Sequence, residues 1–401
     1  MTKWWLRITR GRNSMEEGDM RLLDMHAHLA CLMEGWEAES LRGPGLKGSL
    51  QEEDSGGPSQ SPASIRDRGQ RNIQESQGQP SGKKEMGVMR SEAGACADEK
   101  KVQAALAELA FRRREGIGTF FSCGTPGEWE FMQRLREDNL SWGWKTGLPG
   151  EETGLPPGKE GLPYGESSLL PDESMLHVSF GIHPWHSDSY DPEEWMECFR
   201  ACDAVGEIGM DSVWCEVPLL TQEEVFRRQL EIAETLGKPV ILHTKGQEQT
   251  IAELVRGFTG KICVHWYSGD IKTFEKFLEQ GCYFTLGPDF AANCLASGPL
   301  PPDRAPAELY RHMLRRIPDD RIFLETDGVS AVAWACGKER WDIREVPLVL
   351  RKNMEFLAEA RGVSLEAMQA QIRRNLQDFC GTHSTSLPMK NQDAEYANQT
   401  G

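Results

Sequence analysis

The 401-residue chain is long enough to bury a large core, and its length alone allows one to three domains. Hydrophobic residues make up 39% and charged residues 27%, a little too polar for one compact globule and in keeping with a folded body that carries solvated insertions. A net charge of −17 repels nucleic acid on average, although a local basic patch can overcome that, and no apolar run approaches the ~18 residues that a membrane span needs.

Residues 1–19 form a basic N-terminal extension with a Trp4-Trp5 pair, but without the apolar stretch of about 7–15 residues that marks a secretory signal. Met15 and Met20 are alternative starts. The 11 cysteines contain no Cys-x-x-Cys spacing, and an odd number cannot all pair within one chain. Cys123, Cys263 and Cys282 fall in apolar runs, where a reduced cysteine acts as a small hydrophobe. A cytoplasmic location is therefore expected.

From residue 20 onward, short apolar runs alternate with helical patterns. The expected strands are Arg21–His26, Ile117–Cys123, Leu176–Ile182, Ala204–Ile208, Pro239–His243, Ile262–His265, Cys282–Leu286 and Ile322–Glu325. Between them lie amphipathic stretches such as Val102–Arg114, Glu223–Leu236 and Ile271–Gln280, with helices near 344–361 and 364–380 completing the domain. Alternation of this kind predicts an α/β fold, a closed (β/α)₈ TIM barrel, rather than an open doubly wound sheet, since no Gly-x-Gly-x-x-Gly follows the first strand.

Two segments interrupt the pattern, about 33–100 after the first strand and 141–175 after the second. The first is rich in Gly, Ser, Gln and charge, and the second repeats Gly-Leu-Pro at Gly147, Gly154 and Gly161. Neither buries enough apolar surface to offset the entropy of ordering, so both are expected as long insertions, and the tail 383–401 is similar. The remaining body of about 260 residues is close to the roughly 250 of a typical barrel.

Six residues fall at strand ends, which in a barrel share one rim where active sites form. His26 and His28 make a His-x-His in DMHAHL, and residues two apart on a strand face the same way. Glu207 lies in VGEIGMD, His243 in PVILHTK, His265 in KICVHWYSGD and Asp327 in IFLETDG. Each has an ordinary reading, a hydrogen-bonded rim histidine or a carboxylate capping a turn. Together, four imidazoles and two carboxylates on one rim would be costly to desolvate without a cation. They suffice for two divalent ions, with Glu207 able to bridge and Asp327 able to orient an attacking water and take its proton. Such donors suit Zn²⁺, Mn²⁺ or Fe²⁺ better than Ca²⁺, with Mg²⁺ poorer on softness but accepted by some hydrolases.

The pieces DMHAHL, GIHPWH, VGEIGMD, EEVFRRQLEIAETLGKPVILHTK, HWYSGD and IPDDRIFLETD, in this order, resemble the TatD family of metal-dependent deoxyribonucleases, a branch of the amidohydrolase superfamily. That resemblance implies a hydrolase acting on ester bonds through a metal-activated water, with DNA or a small phosphoester or ester as its substrate. It implies His26, His28, Glu207 and Asp327 around one ion and Glu207, His243 and His265 around the second. His183 in GIHP corresponds to a histidine near the substrate phosphate, with a structural turn role beside Pro184 as the alternative. Asp24 is expected to support the ligand loop, and Asp211 to hydrogen-bond a ligand histidine or cap a turn.

The chain also departs from the family. Lys245, expected to contact substrate, stands where an Arg is usual, which replaces a two-point fork by a point charge. Gly328-Val329-Ser330 follows Asp327 in place of a small residue and Pro. No basic, aromatic-rich tract for stacking bases is present. Hydrolysis of a small ester, amide or aminoacyl bond by the same centre, and a non-enzymatic interaction role, are the alternative functions.

Overall fold

The computed structural model describes residues 22–32, 92–141, 176–301, 304–340 and 342–381. The extension 1–19, most of the expected insertions 33–100 and 141–175, and the tail 383–401 lie outside the described residues. Eight parallel strands form one sheet in sequence order: β1 Leu22–Ala27, β2 Ile117–Cys123, β3 Leu176–Phe180, β4 Ala204–Gly209, β5 Val240–His243, β6 Ile262–Val264, β7 Tyr283–Leu286 and β8 Ile322–Leu324. All eight expected strands are present. The barrel closes between β8 and β1, where the Asp327 amide donates to the His26 carbonyl at 3.0 Å.

Strands β1, β2 and β4 are buried along their whole length, which explains why they read as continuous apolar runs instead of alternating ones. Around them lie α1 Glu92–Arg114, α2 Pro126–Ser141, α3 Met196–Ala201, α4 Leu219–Leu236, α5 Glu248–Leu254, α6 Ile271–Glu279, α7 Phe290–Cys294, α8 Ala307–Arg316, α9 Val329–Cys336, α10 Glu345–Arg361 and α11 Leu365–Cys380. Helix α1 begins at Glu92, inside the stretch expected as insertion and earlier than Val102, where the apolar periodicity starts. Helix α4 buries Phe226, Leu230 and Ala233 at helical spacing and ends on Gly237, whose φ of 64° suits a residue without a Cβ. Phe120, Phe180, Phe226, Phe274, Phe277 and Phe284 fill the core. Among the described residues, no helix is long and apolar enough to cross a membrane.

One buried ionic cluster joins the first turn of the barrel to the last. Arg112 of α1 donates from Nη1 to Asp24 Oδ2 at 2.7 Å and from Nε to Glu108 Oε1 at 3.0 Å. Asp24 also accepts from the Thr326 amide at 2.8 Å and its hydroxyl at 2.6 Å, next to Asp327. Strict alternation breaks between Asp24 and Ala27, where the β1–β2 register shifts. The side chain of Asp24 thereby holds the β8 loop, the supporting role expected of it.

Replacing Asp24 by Leu leaves the buried Arg112 guanidinium with Glu108 alone of its two carboxylates and strips the Thr326 amide of its acceptor. The expected loss is about 3–5 kcal/mol of folding free energy, read as a lower denaturant midpoint. A midpoint equal to that of the unsubstituted protein would show that Arg112 finds another partner.

Candidate metal centre

Glu207 occupies the middle of the barrel mouth, and both of its carboxylate oxygens are surrounded by imidazoles. Oε1 lies 3.2 Å from His26 Nε2 and 3.1 Å from His28 Nε2, while Oε2 lies 3.3 Å from His243 Nδ1 and 3.6 Å from His265 Nε2. Asp327 Oδ1 stands 3.5 Å from His26 Nε2 and 3.6 Å from His28 Nε2. The six residues singled out in the sequence thus meet at one place, although they are spread over 302 positions from His26 to Asp327. Burial by itself would push the Glu207 carboxyl up, but His26, His265 and His243 outweigh it and hold the pKa well below the usual carboxylate value.

Close backbone packing makes this convergence possible. A Cβ on Gly209, just past Glu207 on β4, would stand 1.9 Å from the His243 carbonyl oxygen, and one on Gly181 would stand 2.6 Å from the Glu207 carbonyl oxygen. Gly209 therefore brings β4 against β5, and Gly181, just past β3, lets that strand's end approach Glu207. Two further residues hold left-handed backbone, Asp327 at φ 54° and Trp266, next to His265, at φ 34°. For the tryptophan this is strained, and strain beside a site marks a position that the surroundings enforce.

Carboxylates behind the histidines fix how two of the rings present themselves. His265 Nδ1 lies 2.8 Å from Glu325 Oε2, and His243 Nε2 lies 3.1 Å from Asp211 Oδ2. With those nitrogens engaged, each ring turns its other nitrogen to Glu207. Burial alone would lower the His243 pKa, but Asp211 and Glu207 raise it to about 9. In the sequence Glu325 reads only as the end of a strand; a carboxylate directly before Thr326-Asp327 carries no signal of its own until the barrel brings the ends of β6 and β8 together.

Helix α4 holds the loops on either side of Glu207. The Gln229 side chain accepts from the Ile182 amide at 2.6 Å and donates to the Ile182 carbonyl at 3.1 Å. Seven residues earlier on the same face, Gln222 accepts from the Asp211 amide at 2.8 Å and donates back to the Asp211 carbonyl at 3.1 Å. Two buried amides thus satisfy the backbone just before His183 and at Asp211. Their spacing in TQEEVFRRQL is visible in the sequence, but their targets are not.

The two residues expected to meet substrate lie differently. His183 packs against His243 with ring centroids 4.7 Å apart, and its Nδ1 accepts from the Trp185 amide at 3.3 Å. Desolvation, reinforced by His243, pushes its pKa down to about 3, so the ring is neutral at ordinary pH. Lys245 donates to Ser268 Oγ at 3.1 Å and lies over the Trp214 ring at 4.5 Å, outside the histidine cluster.

The donor set fits divalent cations. Both ring nitrogens of His26 are buried without a hydrogen-bond partner, a costly arrangement for a polar ring unless a lone pair meets a cation. Ligand atoms within 4.8 Å of one another come from His26, His28 and Asp327; from His26, Glu207 and His265; and from His183, Glu207 and His243. The grouping differs in one respect from the expected pair of sets: His183 joins Glu207 and His243, whereas His265 lies nearer His26, with ring centroids 4.1 Å apart. Replacing Glu325 by Ala is expected to weaken Mn²⁺ or Zn²⁺ binding about 10–100-fold in calorimetric titration. Unaltered affinity would mean that His265 either needs no orienting partner or takes no part in binding.

The family described as TatD related DNase matches residues 168–381. The human protein named 3'-5' RNA nuclease TATDN2 is 30% identical over 212 residues, covering 51% of this chain and 26% of its own length. The Escherichia coli K12 protein named uncharacterized metal-dependent hydrolase YcfH is 28% identical over 211 residues, covering 51% of this chain and 73% of its own. The 3'-5' ssDNA/RNA exonuclease TatD of Klebsiella pneumoniae is 24% identical over 209 residues, covering 50% and 75%. The chain therefore spans about a quarter of the human relative and about three quarters of the two bacterial ones. His26 and His28 precede the matched range, and it is the barrel that brings them to Glu207. With the match extending over more than half of its length, the chain belongs to the TatD-related DNase family.

Proposed function

We propose that this protein is a metal-dependent phosphodiesterase, a nuclease, built as one barrel domain over residues 20–382 with insertions in the sequence after the first and second strands. The observation that carries the reading is the placement of Glu207, which turns one oxygen to His26 and His28 and the other to His243 and His265. A carboxylate so placed would serve divalent cations as a shared ligand, with His26, His28, Asp327, His243 and His265 as the other residues that would hold them. Relatives named as nucleases of DNA and RNA support nucleic acid as the substrate class.

Divalent ions in such a centre polarise a phosphoryl oxygen and make a water more acidic, as in other hydrolases of this kind. The protein's own groups supply the rest. Asp327 is held ionised, because His26, His265 and His28 outweigh the burial that would otherwise raise its pKa, and its side chain is one-quarter exposed toward the mouth. It accepts the proton of the attacking water. His183, neutral and beside His243, donates a hydrogen bond to a phosphate oxygen, and the Lys245 ammonium offers that phosphate a point charge. The ten cysteines whose side chains are described are all unpaired, which supports a reducing, cytoplasmic setting.

The test uses the purified full chain with Mn²⁺, Mg²⁺ or Zn²⁺ and single-stranded DNA or RNA, beside a panel of small ester and D-aminoacyl substrates. Strand cleavage is expected, chelator is expected to abolish it, and Asp327→Asn is expected to lower kcat by about 10²–10⁴-fold. Turnover confined to the small substrates would replace the nuclease reading with a small-molecule hydrolase.

A further inference from the structure

Beyond the N-terminal extension with its Trp4-Trp5 pair, the sequence shows no run of aromatic and basic residues, yet the fold assembles one from separate loops. Trp185 follows β3, Trp214 follows β4, Trp266 follows β6, and Trp334 lies in α9 after β8. Each comes after the C-terminal end of a strand, so all four belong to the rim that carries the metal centre. Trp185 is 48% exposed and Trp214 60%. Water contact of this extent on two indoles is unfavourable, and apolar surface beside a site is characteristic of a ligand surface.

The Trp185 indole and the Trp214 backbone are both fixed to the residue that orients His243. The Trp185 ring nitrogen donates to Asp211 Oδ2 at 2.9 Å, and the Trp214 amide donates to Asp211 Oδ1 at 2.9 Å. The Trp185 ring lies 5.0 Å from the His183 ring, itself 4.7 Å from that of His243. An anchored indole loses little further freedom on binding, so the gain from stacking is kept. The Lys245 ammonium over the Trp214 face supplies the one cation that a neighbouring phosphate needs.

Resting on the nuclease reading above, we infer that Trp214 and Trp185 are a stacking platform for unpaired bases next to the scissile phosphate. The occupant is a single strand. In a duplex the base faces already stack on each other, whereas an extended strand presents them to an indole. Because every base has a π-face, such a platform grips strands with little regard to sequence. Lys245, free to turn from the indole, meets the strand's phosphate. The anchor through Asp211 favours this occupant over a protein partner, since it ties the platform to His243. Val213, whose amide also donates to Asp211 Oδ1 at 2.8 Å, and Leu220 add to the exposed apolar surface.

The experiment compares a thymidine oligonucleotide with a strand of equal length and phosphate count that lacks bases. In the unsubstituted protein, kcat/KM is expected to favour the base-bearing strand on the order of tenfold or more. Trp214→Ala is expected to shrink that ratio severalfold and Trp214→Phe to restore most of it. The ratio cancels any general loss at the metal centre. Separately, quenching of indole fluorescence in metal-free protein gives a Kd for the base-bearing strand, which Trp214→Ala is expected to weaken on the order of tenfold. Equal ratios and equal Kd values in the two proteins would overturn the inference and leave the exposed surface to a protein partner. Absence of turnover on either strand would instead sink the nuclease reading, and the difference in Kd would still decide the platform.

Discussion

A carboxylate enclosed by four imidazoles is the constraint around which the barrel mouth is arranged. Glu207 is almost fully buried, with His26, His28, His243 and His265 each within 3.6 Å of one of its oxygens. Without cations such a cluster is a poor bargain, since rings such as His26 give up water and gain no hydrogen bond. Cations convert the same cluster from a cost into a binding site. The rest of the rim is arranged to keep those donors where they are.

That support comes from three directions. Asp24 and Arg112 fasten the loop after β8 to the first strand and the helix behind it, which sets the position of Asp327. Gln222 and Gln229 fasten the loops after β4 and β3 to α4. Glu325 and Asp211 orient the His265 and His243 rings. Each is a buried polar contact to a named partner, which is how a barrel holds side chains that sit at loop edges in place.

The same economy of contacts extends outward. Asp211 touches His243 on one side and, on the other, the Trp185 indole and the Trp214 backbone amide, so these two exposed rim residues lie one residue from a histidine of the cluster. Lys245, where the family resemblance implies an arginine, fits the strand-binding role proposed for it. An ammonium on a flexible stem can rest on an indole face and leave it for a phosphate, whereas a planar guanidinium would stack more firmly.

Much of this was readable along the chain, because local periodicity and strand ends are local properties. The eight strands, their order and the six residues His26, His28, Glu207, His243, His265 and Asp327 could be marked without coordinates, since a parallel barrel puts every strand end on one rim. What could not be read were contacts between side chains distant in sequence whose types are unremarkable alone. Glu325, Gln222 and Gln229 look like ordinary polar residues, and their partners depend on which strand and helix lie alongside. Trp185, Trp214, Trp266 and Trp334 are scattered over 150 positions and form no tract. Only closure of the barrel, which fixes loop against loop, decides that they share a rim and that His183 packs on His243.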